Sequence, residues 1–161
     1  MKKIVLTLSF CLFSQFAFSA GDGGGSSASM SDPYNEAKQL VKRAGKLEKK
    51  DKIDRAKKLY AQAFKKLEKA NLKDKNNPDI LNYLGFTSRK IGNFEIAEKF
   101  YLQGLKTKPD HNGINEYLGE LYVQTNQIDK AKERLAVLKN CNCEEYGDLE
   151  LIIKTRGSKI Y

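Results

Sequence analysis

Apolar residues fall at Ile80, Leu81, Leu84 and Ile91, and then at Phe94, Ala97, Tyr101 and Leu105, at the spacing of one buried face on each of two successive helices. Shifting the chain by 34 residues superposes Ile80 on Ile114, Tyr83 on Tyr117, Leu84 on Leu118, Gly85 on Gly119 and Ala97 on Ala131, and Asn93-Phe94 falls on Gln127-Ile128. A fixed period of this length marks a repeat protein. Each unit is two helices and a turn. Asn77 caps a helix with Pro78 in its first position, Gly92-Asn93 breaks the pattern and offers the next cap, and Pro109 ends the second helix.

A less regular unit precedes these two. Its predicted helices run from Tyr34 to Lys49 and from Ile53 to Leu72, with Ala56, Tyr60 and Ala63 on the apolar side. The second helix and Lys73-Asp74-Lys75-Asn76 overrun the period by about ten residues. After the last unit, Glu144 to Lys154 reads as a seventh helix. Its Tyr146, Leu149, Ile152 and Ile153 cover the exposed end, as a stack of repeats requires. Gly85 and Gly119 sit inside helices, where glycine costs up to about 1 kcal/mol relative to alanine. Close approach of the backbone to a neighbouring helix is the expected reason, with Ala97 and Ala131 serving the same need from the second helix. Tyr83 and Tyr117 recur at the repeat period and are expected to pack.

Leu84-Gly85, Ala97, Tyr101 and Pro109 in one unit, and Leu118-Gly119, Tyr122 and Ala131 in the next, resemble the tetratricopeptide repeat, a helix-turn-helix family of 34-residue period. The resemblance spans roughly residues 33 to 154. It implies an all-α solenoid of three antiparallel helix pairs with a C-terminal capping helix, in units of about 33–76, 78–111 and 112–142 and a cap at 143–154. In that family the first helix of each pair lines a concave binding face. The matching positions are Asp79, Asn82, Phe86, Arg89 and Lys90, followed by Glu116, Glu120, Val123 and Gln124. An aromatic, an amide and charges of both signs suit an extended or helical peptide. The Lys and Asn pattern with which chaperone adaptors hold a C-terminal carboxylate is not recognisable.

The first twenty residues change the picture of location. Lys2 and Lys3, an apolar run from Ile4 to Phe18 and the small residues around Ser19 have the layout of a secretory signal peptide. Residues 1–19 are expected to be removed and 20–31 to form a flexible Gly/Ser leader. The expected compartment is the bacterial periplasm, with an inner-membrane anchor as the alternative. Charge is unevenly placed: residues 38–75 hold fifteen Lys/Arg against five acids, and 76–161 hold twelve of each. The basic segment suits contact with an anionic envelope surface, or is simply a solvated helical surface. Export makes nucleic acid an unexpected partner.

No phosphate loop, nucleophile and base pair or zinc-protease motif is present, and the lone His111 reads as an exposed turn residue. No enzyme activity, cofactor or metal is expected. Cys141 and Cys143 are the thiols of the mature chain. They admit a disulfide tying the last helix to the preceding unit, redox exchange or Cu(I) binding, or free thiols. The expected function is a non-catalytic protein-binding adaptor. The alternative is a small thiol-redox or Cu(I)-handling protein using Cys141 and Cys143.

Overall fold

A computed structural model describes residues 32–157, so the expected signal peptide (1–19) and leader (20–31) lie outside the described residues. Within them the chain is all-α. Helices α1 (Pro33–Glu48) and α2 (Ile53–Lys73), α3 (Pro78–Lys90) and α4 (Phe94–Thr107), and α5 (Asn112–Gln124) and α6 (Ile128–Leu138) form three consecutive pairs. Helix α7 (Glu144–Thr155) packs on α5 and α6 and closes the row.

The turns inside the pairs share one hydrogen-bond pattern. Lys52, Asn93 and Gln127 donate their backbone N–H to the carbonyls of Leu47, Ser88 and Tyr122, and the residue before each donor has positive φ: Asp51 at 56°, Gly92 at 94° and Asn126 at 59°. This closes each first helix in a Schellman turn. Glycine is written at only one of the three left-handed positions, with Asp and Asn tolerated at the others. Asn93 stands at the N-cap position of α4 without a side-chain capping bond, so the cap expected there is absent. Asn77 does cap α3, accepting from the N–H groups of Asp79 and Ile80.

Ile53 to Phe94 spans 41 residues where Phe94 to Ile128 spans 34, so the first unit carries seven extra residues, about two helical turns. They lengthen α2. Its Leu67 and Ala70 pack into the cluster holding Ile80, Leu81 and Leu84 of α3, which anchors the first pair on the second.

At the recurring glycines a neighbouring helix comes close through a side chain. A Cβ on Gly85 would sit 2.6 Å from Cδ1 and 2.8 Å from Cζ of the Tyr101 ring, which α4 lays across α3. A Cβ on Gly119 would sit 2.5 and 2.7 Å from the Leu149 methyl groups of α7. One repeated glycine thus serves packing inside a unit and the other serves the cap.

Candidate functional site

The site arises from a break in the repeat. With the offset of 41 residues for the first pair and 34 for the second, Gly45 of α1, Phe86 of α3 and Glu120 of α5 occupy matching positions. Gly45 offers no side chain where α3 offers a phenyl ring. The space left is a cavity of about 580 Å³ walled by Tyr60, Phe86 and Tyr117, with Glu48, Lys49, Arg89, Lys90 and Glu120 around it. That volume lies within the ~300–1,000 Å³ of typical ligand-binding clefts.

The aromatic wall is continuous. Tyr60 meets Phe86 edge-on at a centroid distance of 5.8 Å, and Phe86 meets Tyr117 at 4.9 Å. The Arg89 guanidinium lies 5.6 Å from the Phe86 centroid and 5.8 Å from that of Tyr117. Lys90 Nζ stands 5.6 Å from the Tyr60 ring centre. Cations over ring faces gain from the ring quadrupole and hold the rings in place.

Two ion pairs join helices across the cavity. Arg89 Nη2 meets Glu120 Oε2 at 2.6 Å and ties α3 to α5, with both side chains enclosed. Burial works to lower the Arg89 pKa and the Glu120 carboxylate to raise it, with a net upward balance, so the guanidinium stays charged. Lys90 Nζ meets Glu48 Oε2 at 2.9 Å, and the Tyr60 hydroxyl donates to the same oxygen at 2.8 Å, joining α1, α2 and α3. Burial first, and then the Glu48 contact, pushes the Tyr60 pKa well above its ordinary value. The phenol therefore remains a neutral donor.

Of the nine groove positions carried over from the repeat family, Phe86, Arg89, Lys90 and Glu120 meet around this cavity. The others lie elsewhere. Asp79 is exposed at the start of α3, and Gln124 is exposed at the end of α5. Asn82 and Glu116 are buried between helices, and Val123 belongs to the core cluster that contains Ile152 of α7. Gly45, Lys49, Tyr60 and Tyr117 are cavity residues that the repeat pattern alone does not select. The signal for them is the missing side chain at Gly45.

His111 is not an exposed turn residue: its side chain is only 11% exposed. Its Nδ1 accepts the Ile114 N–H as the N-cap of α5, which leaves Nε2 as the donor to Asp79 Oδ1 at 3.0 Å. Asn115 of α5 is fully buried and donates to the carbonyls of Pro109 and His111. Cys141 and Cys143 are joined in a disulfide in the turn before α7, and Cys143 occupies the helix's N-cap position. In this form neither sulfur is available as a thiolate ligand.

The chain matches no protein-family profile, and no curated protein matches it in sequence. Among solved structures it is similar to the type III secretion translocator chaperone SycD of Yersinia enterocolitica, with 16% identity over 76% of this chain and 83% of that one and a TM-score of 0.54. A second structure of that chaperone, in complex with a peptide of the translocator YopD, covers 76% of this chain and 90% of its own at 16% identity and a TM-score of 0.48. The fold is a tetratricopeptide-like helical repeat.

Proposed function

We propose that this chain is a non-catalytic protein-binding adaptor that holds an extended or helical segment of another protein in the cavity between α1, α3 and α5. One observation carries the reading. The cavity opens where Gly45 interrupts the repeat, and three aromatic rings and two interhelical ion pairs hold its walls. Such a hollow suits an apolar anchor side chain, and the flanking charges suit the polar groups of the backbone around it. The related fold of a secretion translocator chaperone is in keeping with this role.

The adaptor acts in the bacterial periplasm after loss of residues 1–19, on the strength of the N-terminal Lys2-Lys3 and apolar pattern. N-terminal sequencing of the protein from a cell fraction tests this. A start at Ala20 in the periplasmic fraction supports it, and an intact Met1 in the cytoplasm contradicts it. A second contact, with an anionic envelope surface, is favoured by the basic α1–α2 unit.

The groove reading is tested by panning a peptide library against the full chain and comparing it with Gly45→Trp. An indole at residue 45 fills the cavity from a helix face whose nearest neighbour, the Tyr60 hydroxyl, lies 3.9 Å from the added Cβ. Selected peptides should lose binding to this variant while its helix content stays unchanged. Undiminished binding would remove the cavity from the account.

A further inference from the structure

The outer edge of the first helix pair carries a second cleft. It has a volume of about 410 Å³ and is lined by Arg43 and Leu47 of α1 and by Arg55, Lys58, Leu59 and Gln62 of α2. Three cations converge there with no acidic side chain in the lining. Arg43, Arg55 and Lys58 are exposed, and among the described residues none of their side chains enters a hydrogen bond or ion pair.

Arg43 matches Leu84 of α3 and Leu118 of α5 in the repeat, and both leucines are fully enclosed. The chain therefore writes arginine at the face where later units bury leucine. An outer polar face is what the end of a stack needs for solubility, but polarity does not require a single sign. The opposite end carries mainly the other sign: on α7, Glu144, Glu145, Asp148 and Glu150 outnumber Lys154, which pairs with Glu150 at 2.9 Å. Asp51 and Asp54 lie a turn before Arg55 and Lys58 without pairing with them, and like charges gathered without an ion-paired partner repel, a cost that an anionic ligand relieves.

The cleft continues into a row. Arg55, Lys58, Gln62, Lys65, Lys69 and Leu72 of α2 are all exposed and fall within an arc of about 100° on the helix surface. From Arg55 to Lys69 the row is about 21 Å long, and it ends at Leu72, whose relative exposure is 74%. A straight cationic row with an apolar side chain at its end and Leu47 and Leu59 in its cleft matches a surface that is anionic outside and apolar beneath.

We propose that this cleft and the α2 row bind the phosphate headgroups of an anionic phospholipid surface. The site localises the second contact and does not depend on the peptide groove.

The test is partition of the full chain onto vesicles of phosphatidylglycerol in phosphatidylcholine against phosphatidylcholine alone. The neutral vesicles give the baseline for the apolar segment at residues 4–18. The phosphatidylglycerol-dependent part should fall on the order of a hundredfold in Arg43→Gln, Arg55→Gln, Lys58→Gln, and should weaken with added salt. Lys65→Gln, Lys69→Gln is the second variant and should lower it in the same direction. Gly45→Trp should leave it unchanged, which separates this site from the groove. Wild-type partition by the well-folded triple variant would overturn the proposal. So would saturable binding of soluble polyphosphate without any preference for phosphatidylglycerol vesicles, or self-association that the same substitutions abolish, since the cleft would then serve a free polyanion or the acidic face of a second copy.

Discussion

Arg89 of α3 and Glu120 of α5 pair at 2.6 Å with side chains only 3% and 6% exposed, so consecutive repeat units are joined by a charge pair largely shielded from water. Desolvating two charges is costly, and removing one partner leaves the other buried without compensation. Glu120→Ala is expected to destabilise the fold by about 3–5 kcal/mol, read from urea unfolding. Arg89→Met with Glu120→Leu should recover most of that loss.

Stability should fall in alkali. Burial, and then the nearby Asp79 carboxylate, raises Tyr34 from the ordinary 10.0 to about 12. Burial, and then the hydrogen bond to Glu98, raises Tyr122 to about 12. Tyr60, Tyr101 and Tyr117 shift further in the same direction, mainly through burial. The unfolded chain releases these protons near pH 10 and the folded chain retains them. Their contribution is thus fully present below pH 10 and is lost as the pH rises through about 12. Urea midpoints should be level from pH 7 to 9 and drop steeply beyond pH 10, with the drop reduced in Tyr122→Phe.

Glycine substitutions should split by position. Gly85→Ala drives a methyl group into the enclosed Tyr101 ring and should cost about 1–3 kcal/mol despite the gain in helix propensity. Gly147 in α7 has open space around it, so Gly147→Ala should stabilise by up to about 1 kcal/mol. Thermal unfolding of the two variants beside wild type checks both signs.

His111→Ala removes the ring that caps α5 at Ile114 and contacts Asp79 of α3. A loss of about 1 kcal/mol is expected, the scale of a helix cap. Hydrogen exchange should show the fraying concentrated in the first turn of α5. His111→Asn, which keeps an acceptor there, should restore much of the protection.

The repeat was legible because the matching positions of the second and third units are buried alike: Leu84 and Leu118 are enclosed, Ala97 and Ala131 are enclosed, and Gly85 and Gly119 each receive a side chain from a neighbouring helix. The site was legible only in part. Phe86, Arg89, Lys90 and Glu120 follow from the first-helix positions of the family. Gly45, Tyr60 and Tyr117 join them only because the first unit lacks the side chain that α3 supplies. Val123 reads as a groove residue until α7 is seen to enclose it, and such a tertiary contact leaves no mark on helical periodicity. His111 was hidden for a similar reason, because its partner Asp79 lies 32 residues away on another helix.

The most direct test of the central claim is amide hydrogen exchange on the full chain with and without a selected peptide. Added protection is expected in the segments lining the cavity, at 45–49, 86–90 and 117–120, and should be lost in Gly45→Trp. Protection confined to α4 and α6, or unchanged exchange at those three segments with the peptide bound, would contradict the claim.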